Sequence, residues 1–170
     1  MLRSLAVIVA LSVSSVWMTA GASAGEFEDA VVAYQASDYA AAYPAFMDMA
    51  SAGHSGAETM LGVMYFGGQG VERNESFAAI WFFKASRKGN PNAHLAFGSL
   101  HIRGVGVLQN LSKAYKWLLL AAERGEGAVA SEANRLLTEI GTLMSDAQRQ
   151  RAIAEAKAWR PIILTEETSE

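Results

Sequence analysis

The chain contains no cysteine. That absence excludes disulfide staples and thiolate catalysis, and it leaves burial of apolar side chains to stabilise the fold. A basic stripe is also missing: 14 lysines and arginines face 17 aspartates and glutamates, for a net charge of −3 with histidine neutral. Nucleic acid is therefore not an expected partner, because phosphate binding needs clustered cations. Long apolar runs are lacking after the first residues. Those residues have the three parts of an export leader: the positive start Met1-Leu2-Arg3, the short apolar run Leu5 to Met18, and the small-residue signature Ala22-Ser23-Ala24. Residues 1–24 read as a cleaved signal peptide, with the mature chain starting at Gly25 in the periplasm or outside the cell. The rival is an uncleaved anchor. A spanning helix needs about 20 apolar residues, however, and this run is interrupted by Ser12, Ser14 and Ser15. No cysteine follows the cleavage site to carry a lipid, so the protein is expected not to insert in a membrane once cleaved. Residues 25–170 suffice for one domain with its own core.

What is present is a 36-residue period. Gly53 to Lys88 and Gly89 to Arg124 pair without a gap, and 11 of the 36 positions are identical. Glycines, alanines and one tryptophan dominate the identities: Gly62/Gly98, Gly68/Gly104, Gly70/Gly106, Ala78/Ala114, Trp81/Trp117 and Ala85/Ala121 are among them. Such residues set backbone shape and close packing rather than chemistry. Repetition at this length marks a solenoid, whose units bury their faces against neighbours.

Within a unit the apolar spacing is helical. Ala57 to Phe66 predicts a first helix, with Ala57, Met60, Leu61 and Met64 on one face and a Ser55/Glu58 capping box at its start. Gly67-Gly68-Gln69-Gly70-Val71 predicts its stop. Asn74 then caps a second helix running to about Lys88, which buries Ala78, Trp81, Phe82 and Ala85. The next unit repeats the plan, with Asn90-Pro91 as cap and N1 proline, a Gly104-Val105-Gly106-Val107 turn, and an Asn110 cap before Ala114, Trp117, Leu118 and Ala121. Outside these units the pattern loosens. Glu26 to Ala36 and Asp38 to Gly53 read as a preceding helix pair, with Pro44 removing one helical hydrogen bond. Past Gly125 the turn motif is gone, and Asn134 stands where the other units have glycine. Ser145 to Gln148 forms an S-x-x-Q capping box opening a last helix, 145–159, as a terminal cap, followed by a tail at 161–170.

The stretches AETMLGVMYFGGQGV with AIWFFKASRKGN, and AHLAFGSLHIRGVGV with AYKWLLLAAERGE, resemble the Sel-one-like repeat family, relatives of tetratricopeptide repeats. The shared features are an A-x3-LG-x2-Y core, a G-x-GV turn and an A-x2-W-x3-A helix in that order. The resemblance covers residues 57–126. It implies an all-α fold, an α-solenoid of antiparallel helix pairs forming a tetratricopeptide-like superhelix, and a scaffold that binds a protein or peptide partner. It implies no enzyme. The alternative is a secreted hydrolase acting on cell-wall or β-lactam material, suggested for cysteine-rich relatives whose cysteines this chain lacks.

Side chains that could do chemistry have plainer uses. Gly68-Gln69-Gly70 and Gly104-Val105-Gly106 follow helices rather than strands and lack the lysine of a phosphate loop. His94 and His101 lie seven apart on one helix, about 10 Å at the helical rise, too far to share a metal. His54 reads as a loop residue, Glu123 with Glu126 as a solvated pair, and Trp81 with Trp117 as core anchors. No catalytic group, cofactor or metal site is expected. What remains is a surface, and a monomer is expected to carry it. At 100° per residue, Thr59, Val63 and Phe66 point away from the packed face, as do Leu95, Ser99 and Ile102 one unit later. Arg135, with Ser131 and Thr138, continues this stripe into the third unit and adds a positive charge. First helices line the inner surface of helix-pair solenoids, so the stripe is either a partner groove or a face covered by the 26–36 helix or the tail.

Overall fold

The computed structural model describes residues 24–162, and among them every regular element is an α-helix. The eight are α1 (Ala24–Gln35), α2 (Tyr39–Ser51), α3 (Ser55–Gly67), α4 (Glu75–Arg87), α5 (Pro91–Arg103), α6 (Leu111–Arg124), α7 (Gly127–Gly141) and α8 (Asp146–Ala158). Residues 1–23, where a leader is expected, and 163–170, the end of the expected tail, lie outside the described residues. No described helix is long and apolar enough to cross a membrane.

Local signals set the helix ends. Asn74, Asn90 and Asn110 each accept a hydrogen bond from the backbone N–H three residues on, as an N-cap does. Gly68 and Gly104 end α3 and α5 in the left-handed conformation, both at φ 69°, where a side chain would be strained. Ser145 and Gln148 make the reciprocal capping box. One start differs from expectation. Ser55 and Glu58 do not cap α3; His54 does, its Nδ1 accepting the Ala57 N–H at 3.1 Å. The cap lies one residue earlier than expected, which makes Ser55 the first residue of the helix and frees Glu58 to turn inward.

Consecutive helices pair antiparallel, α1 with α2, α3 with α4 and α5 with α6, and each second helix also packs on the next first helix. Identical glycines mark close contacts between the paired helices. A Cβ at Gly62 would lie 2.6 Å from the Phe82 ring, and one at Gly98 3.0 Å from Leu118 Cγ. The third unit breaks the pattern: α8 leaves α7 and lies along α6 instead. With no second helix of its own unit against α7 the demand for a small residue disappears, and Asn134, at the glycine position, is exposed. Trp159 follows α8 into the aromatic cluster of α5 and α6, and the Ile162 N–H donates to the Arg87 carbonyl at 2.8 Å.

Candidate binding groove

α5 lies beside α7, and a groove of about 480 Å³ runs between them. Ser99, Ile102 and Arg103 line it from α5, and Leu136 faces them from α7 among Glu132, Arg135 and Glu139. Three residues of the stripe read from the sequence, Ser99, Ile102 and Arg135, thus meet in one place. The others are elsewhere. Thr59 is buried and donates its hydroxyl to the Ser55 carbonyl at 2.8 Å. Val63 and Phe66 are half-buried against the cluster shared by α4, α5 and α6, and Leu95 against the one shared by α6 and α7. Phe66 lies near the groove's edge residue Arg103: that guanidinium sits 5.6 Å from its ring, and Arg73 sits 6.0 Å away. Ser99 spends its hydroxyl on the Leu95 carbonyl at 2.8 Å. α1 packs on α2, and the described end of the tail lies at the C-terminal end of α4.

The charge at the α7 end differs from expectation. Arg135 donates to both carboxylate oxygens of Glu132, at 2.8 and 2.7 Å, and to Glu139 at 3.1 Å. Those hydrogen bonds, with the guanidinium charge, hold the Glu132 carboxyl below its ordinary range. Two carboxylates surround one cation, so this end is not a free positive site. The sequence does carry the signal, because Glu132 and Glu139 stand three before and four after Arg135, helical neighbours. Arg103 and Leu136 were not foreseen. They depend on where α5 and α7 meet, which no period specifies.

A second set of polar groups lies inside the solenoid, at one repeat position. In the first unit the buried Glu58 takes the Lys88 ammonium at 2.8 Å, and Lys88 also donates to the Gly53 carbonyl at 2.9 Å. One unit later those positions hold His94 and Arg124. His94 is fully buried; its Nε2–H donates to the Ser86 carbonyl at 2.9 Å, and Nδ1 has no partner. Its ring lies 5.3 Å from Trp117 and 5.2 Å from Trp159, while Arg124 is drawn onto Trp159 at 4.8 Å. Burial, aided by the Arg124 charge, lowers the imidazole pKa to about 4 against the opposing Ser86 hydrogen bond. These groups are packed into the core. Among the described residues no group of three or more histidines and carboxylates is placed to hold a metal ion.

Capped helix pairs, glycine turns and a groove between first helices define a helical-repeat solenoid. The Sel1 repeat model matches residues 55–90 and 91–126, so the chain carries two Sel1 repeats. Solved structures share the fold. One is the crystal structure of c5321, a protective antigen present in uropathogenic Escherichia coli strains displaying an SLR fold, at TM-score 0.72 and 21% identity over 79% of this chain and 29% of that one. Another is the Sel1 repeat protein from Oxalobacter formigenes, at TM-score 0.63 and 25% identity over 76% of this chain and 55% of that one. The chain thus spans about a third to a half of the length of these structures. No curated protein matches it.

Proposed function

We propose that the protein is an exported, non-enzymatic scaffold of the bacterial envelope that holds a partner protein or peptide in the α5/α7 groove. The observation that supports this reading is the convergence of Ser99, Ile102 and Arg135, from two units, on one lining that pairs apolar Ile102 and Leu136 with charged Arg103, Glu132 and Glu139. An apolar strip edged by both signs of charge suits an amphipathic partner segment. Export rests on residues 1–24, and the protein should appear in osmotic-shock fluid with Gly25 as its first residue. Retention of the leader by intact mass, or retention in salt-washed membranes, would remove the envelope from this reading. The binding test compares the parent with Ile102→Ser, Leu136→Ser in capture from periplasmic extract. Loss of a captured partner at an unchanged melting temperature supports the groove; normal capture moves the site elsewhere. Turnover of a chromogenic β-lactam or of peptidoglycan above a heat-treated control would replace the scaffold with the hydrolase.

A further inference from the structure

The gaps between consecutive second helices are filled differently along the solenoid. Between α2 and α4, over α3, three rings close the space. Tyr65 stacks on Phe77 with centroids 5.5 Å apart, and the Tyr43 and Tyr65 hydroxyls meet at 3.0 Å. One period later the same three positions are Ala79, His101 and Lys113. The rings are gone, and a cavity of about 660 Å³ opens between α4 and α6 over α5. That volume is in the range of ligand sites, about 300 to 1,000 Å³.

Phe83, Phe97 and Trp117 supply its apolar lining, held against one another at 5.4 Å for Phe83 with Phe97 and 5.7 Å for Phe97 with Trp117. Lys113 and Lys116 line it from α6, and neither makes an ion pair among the described residues. Glu155 of α8 also lines the cavity, but its carboxylate already accepts from Arg151 at 3.1 Å. The Lys116 ammonium lies 5.1 Å over the Trp117 ring, and both ammonium groups remain without a carboxylate partner among the described residues. His101 bonds the Leu108 carbonyl through Nδ1 at 3.1 Å, so its neutral ring donates there and keeps an acceptor at Nε2. Leu108, in the same lining, is 89% exposed where the preceding turn has Glu72. An apolar residue so fully in water gains from a bound partner.

We infer that this cavity is a second binding site, separate from the α5/α7 groove, and that it takes the C-terminal end of a partner peptide: an aromatic or branched apolar last side chain among the rings, and the terminal carboxylate on Lys113 and Lys116. A chain end fits better than a continuous strand because α4, α5, the 107–110 turn, α6 and α8 all contribute to the wall. Unpaired ammonium groups beside apolar rings match a carboxylate that follows an apolar side chain.

The test titrates the full chain, by tryptophan fluorescence and by NMR, with short acetylated peptides ending in phenylalanine or leucine, as free acids and as amides. The acid forms should saturate, and amidation should weaken binding about tenfold, the equivalent of about 1.4 kcal/mol. Lys113→Glu, an exposed change, should weaken the preference for the acid while leaving the melting curve in place, and adding Lys116→Glu, whose ammonium lies over Trp117, should abolish it. His101→Tyr with Lys113→Phe rebuilds the stack of the preceding gap and should block binding outright; should it misfold, the glutamate pair alone decides. Ile102→Ser, Leu136→Ser should leave peptide binding unchanged, which separates this site from the groove. Equal binding of acid and amide, equal binding of an amidated peptide with an internal glutamate, or no saturable binding of any probe would overturn the assignment.

Discussion

Acidification should destabilise this protein in large part through His94, and His94→Leu should remove that share of the sensitivity. His94 is fully buried between Trp117 and Trp159, with its pKa lowered to about 4 from the ordinary 6.5. Because the folded value is the lower one, the unfolded chain takes up the proton first. The neutral imidazole therefore contributes stability that is fully present above about pH 6.5, falls as the pH drops, and is lost by about pH 4, where the folded state is protonated too. At about 1.36 kcal/mol per pKa unit the loss approaches 3 kcal/mol, a large share of the roughly 5 to 15 kcal/mol that holds a domain folded. Leucine is a suitable replacement. The Ser86 carbonyl keeps its bond from the Gly89 N–H, and the unpartnered Nδ1 disappears. The assay is urea unfolding of both proteins from about pH 7.5 to about pH 4, the carboxylates common to both cancelling in the difference. Parent stability should fall faster than that of the variant across this window by about 2 to 3 kcal/mol. Parallel curves would show that His94 is solvated or charged in the folded state and that the burial argument is wrong.

Lys88→Met should cost about 3 to 5 kcal/mol by stranding the buried Glu58 carboxylate; the Glu58→Met, Lys88→Met pair should recover most of that loss in urea midpoints, and a double variant no better than the single would refute it. Trp117→Ala should cost about 3 to 5 kcal/mol, whereas Trp81→Ala, at a half-buried ring with Lys84 4.2 Å over it, should cost about 1 to 2 kcal/mol. Equal losses would mean that the two units pack alike. Gly62→Val drives a side chain into the Phe82 ring and should lower stability by about 1 to 3 kcal/mol, while Asn134→Ala at the same repeat position should change it by less than about 0.5 kcal/mol; a large effect of the second in thermal melts would place a helix against the exposed face of α7 that carries Asn134.

The features legible in the sequence are those whose physics is local or strictly periodic. Asparagine caps, the Ser145/Gln148 box, left-handed glycines and the alanine and glycine contacts recur because each depends on a few neighbouring residues. The His54 cap is not among these features: a ring nitrogen does what Ser55 was expected to do, and histidine carries no strong capping signal. Within the groove the positions of Ser99, Ile102 and Arg135 follow from helical angle alone, but Thr59 at an equivalent angle is buried, and Glu132 neutralises Arg135 from the same helix face.

By itself, the sequence determined the helical class, the 36-residue unit, where the helices of the two full units start and stop apart from the start of α3, and which small residues lie at close helix contacts. Those are consequences of propensity, capping and steric size within a short stretch of chain. Tertiary structure alone decided that α8 abandons α7 for α6, that Glu58 and His94 solve one buried position with an ion pair in one unit and a neutral ring in the next, and that a gap filled by Tyr43, Tyr65 and Phe77 stands open one period later. Each of these depends on side chains from helices distant in sequence competing for the same volume, and a repeat specifies the frame in which they meet but not which of them fills it.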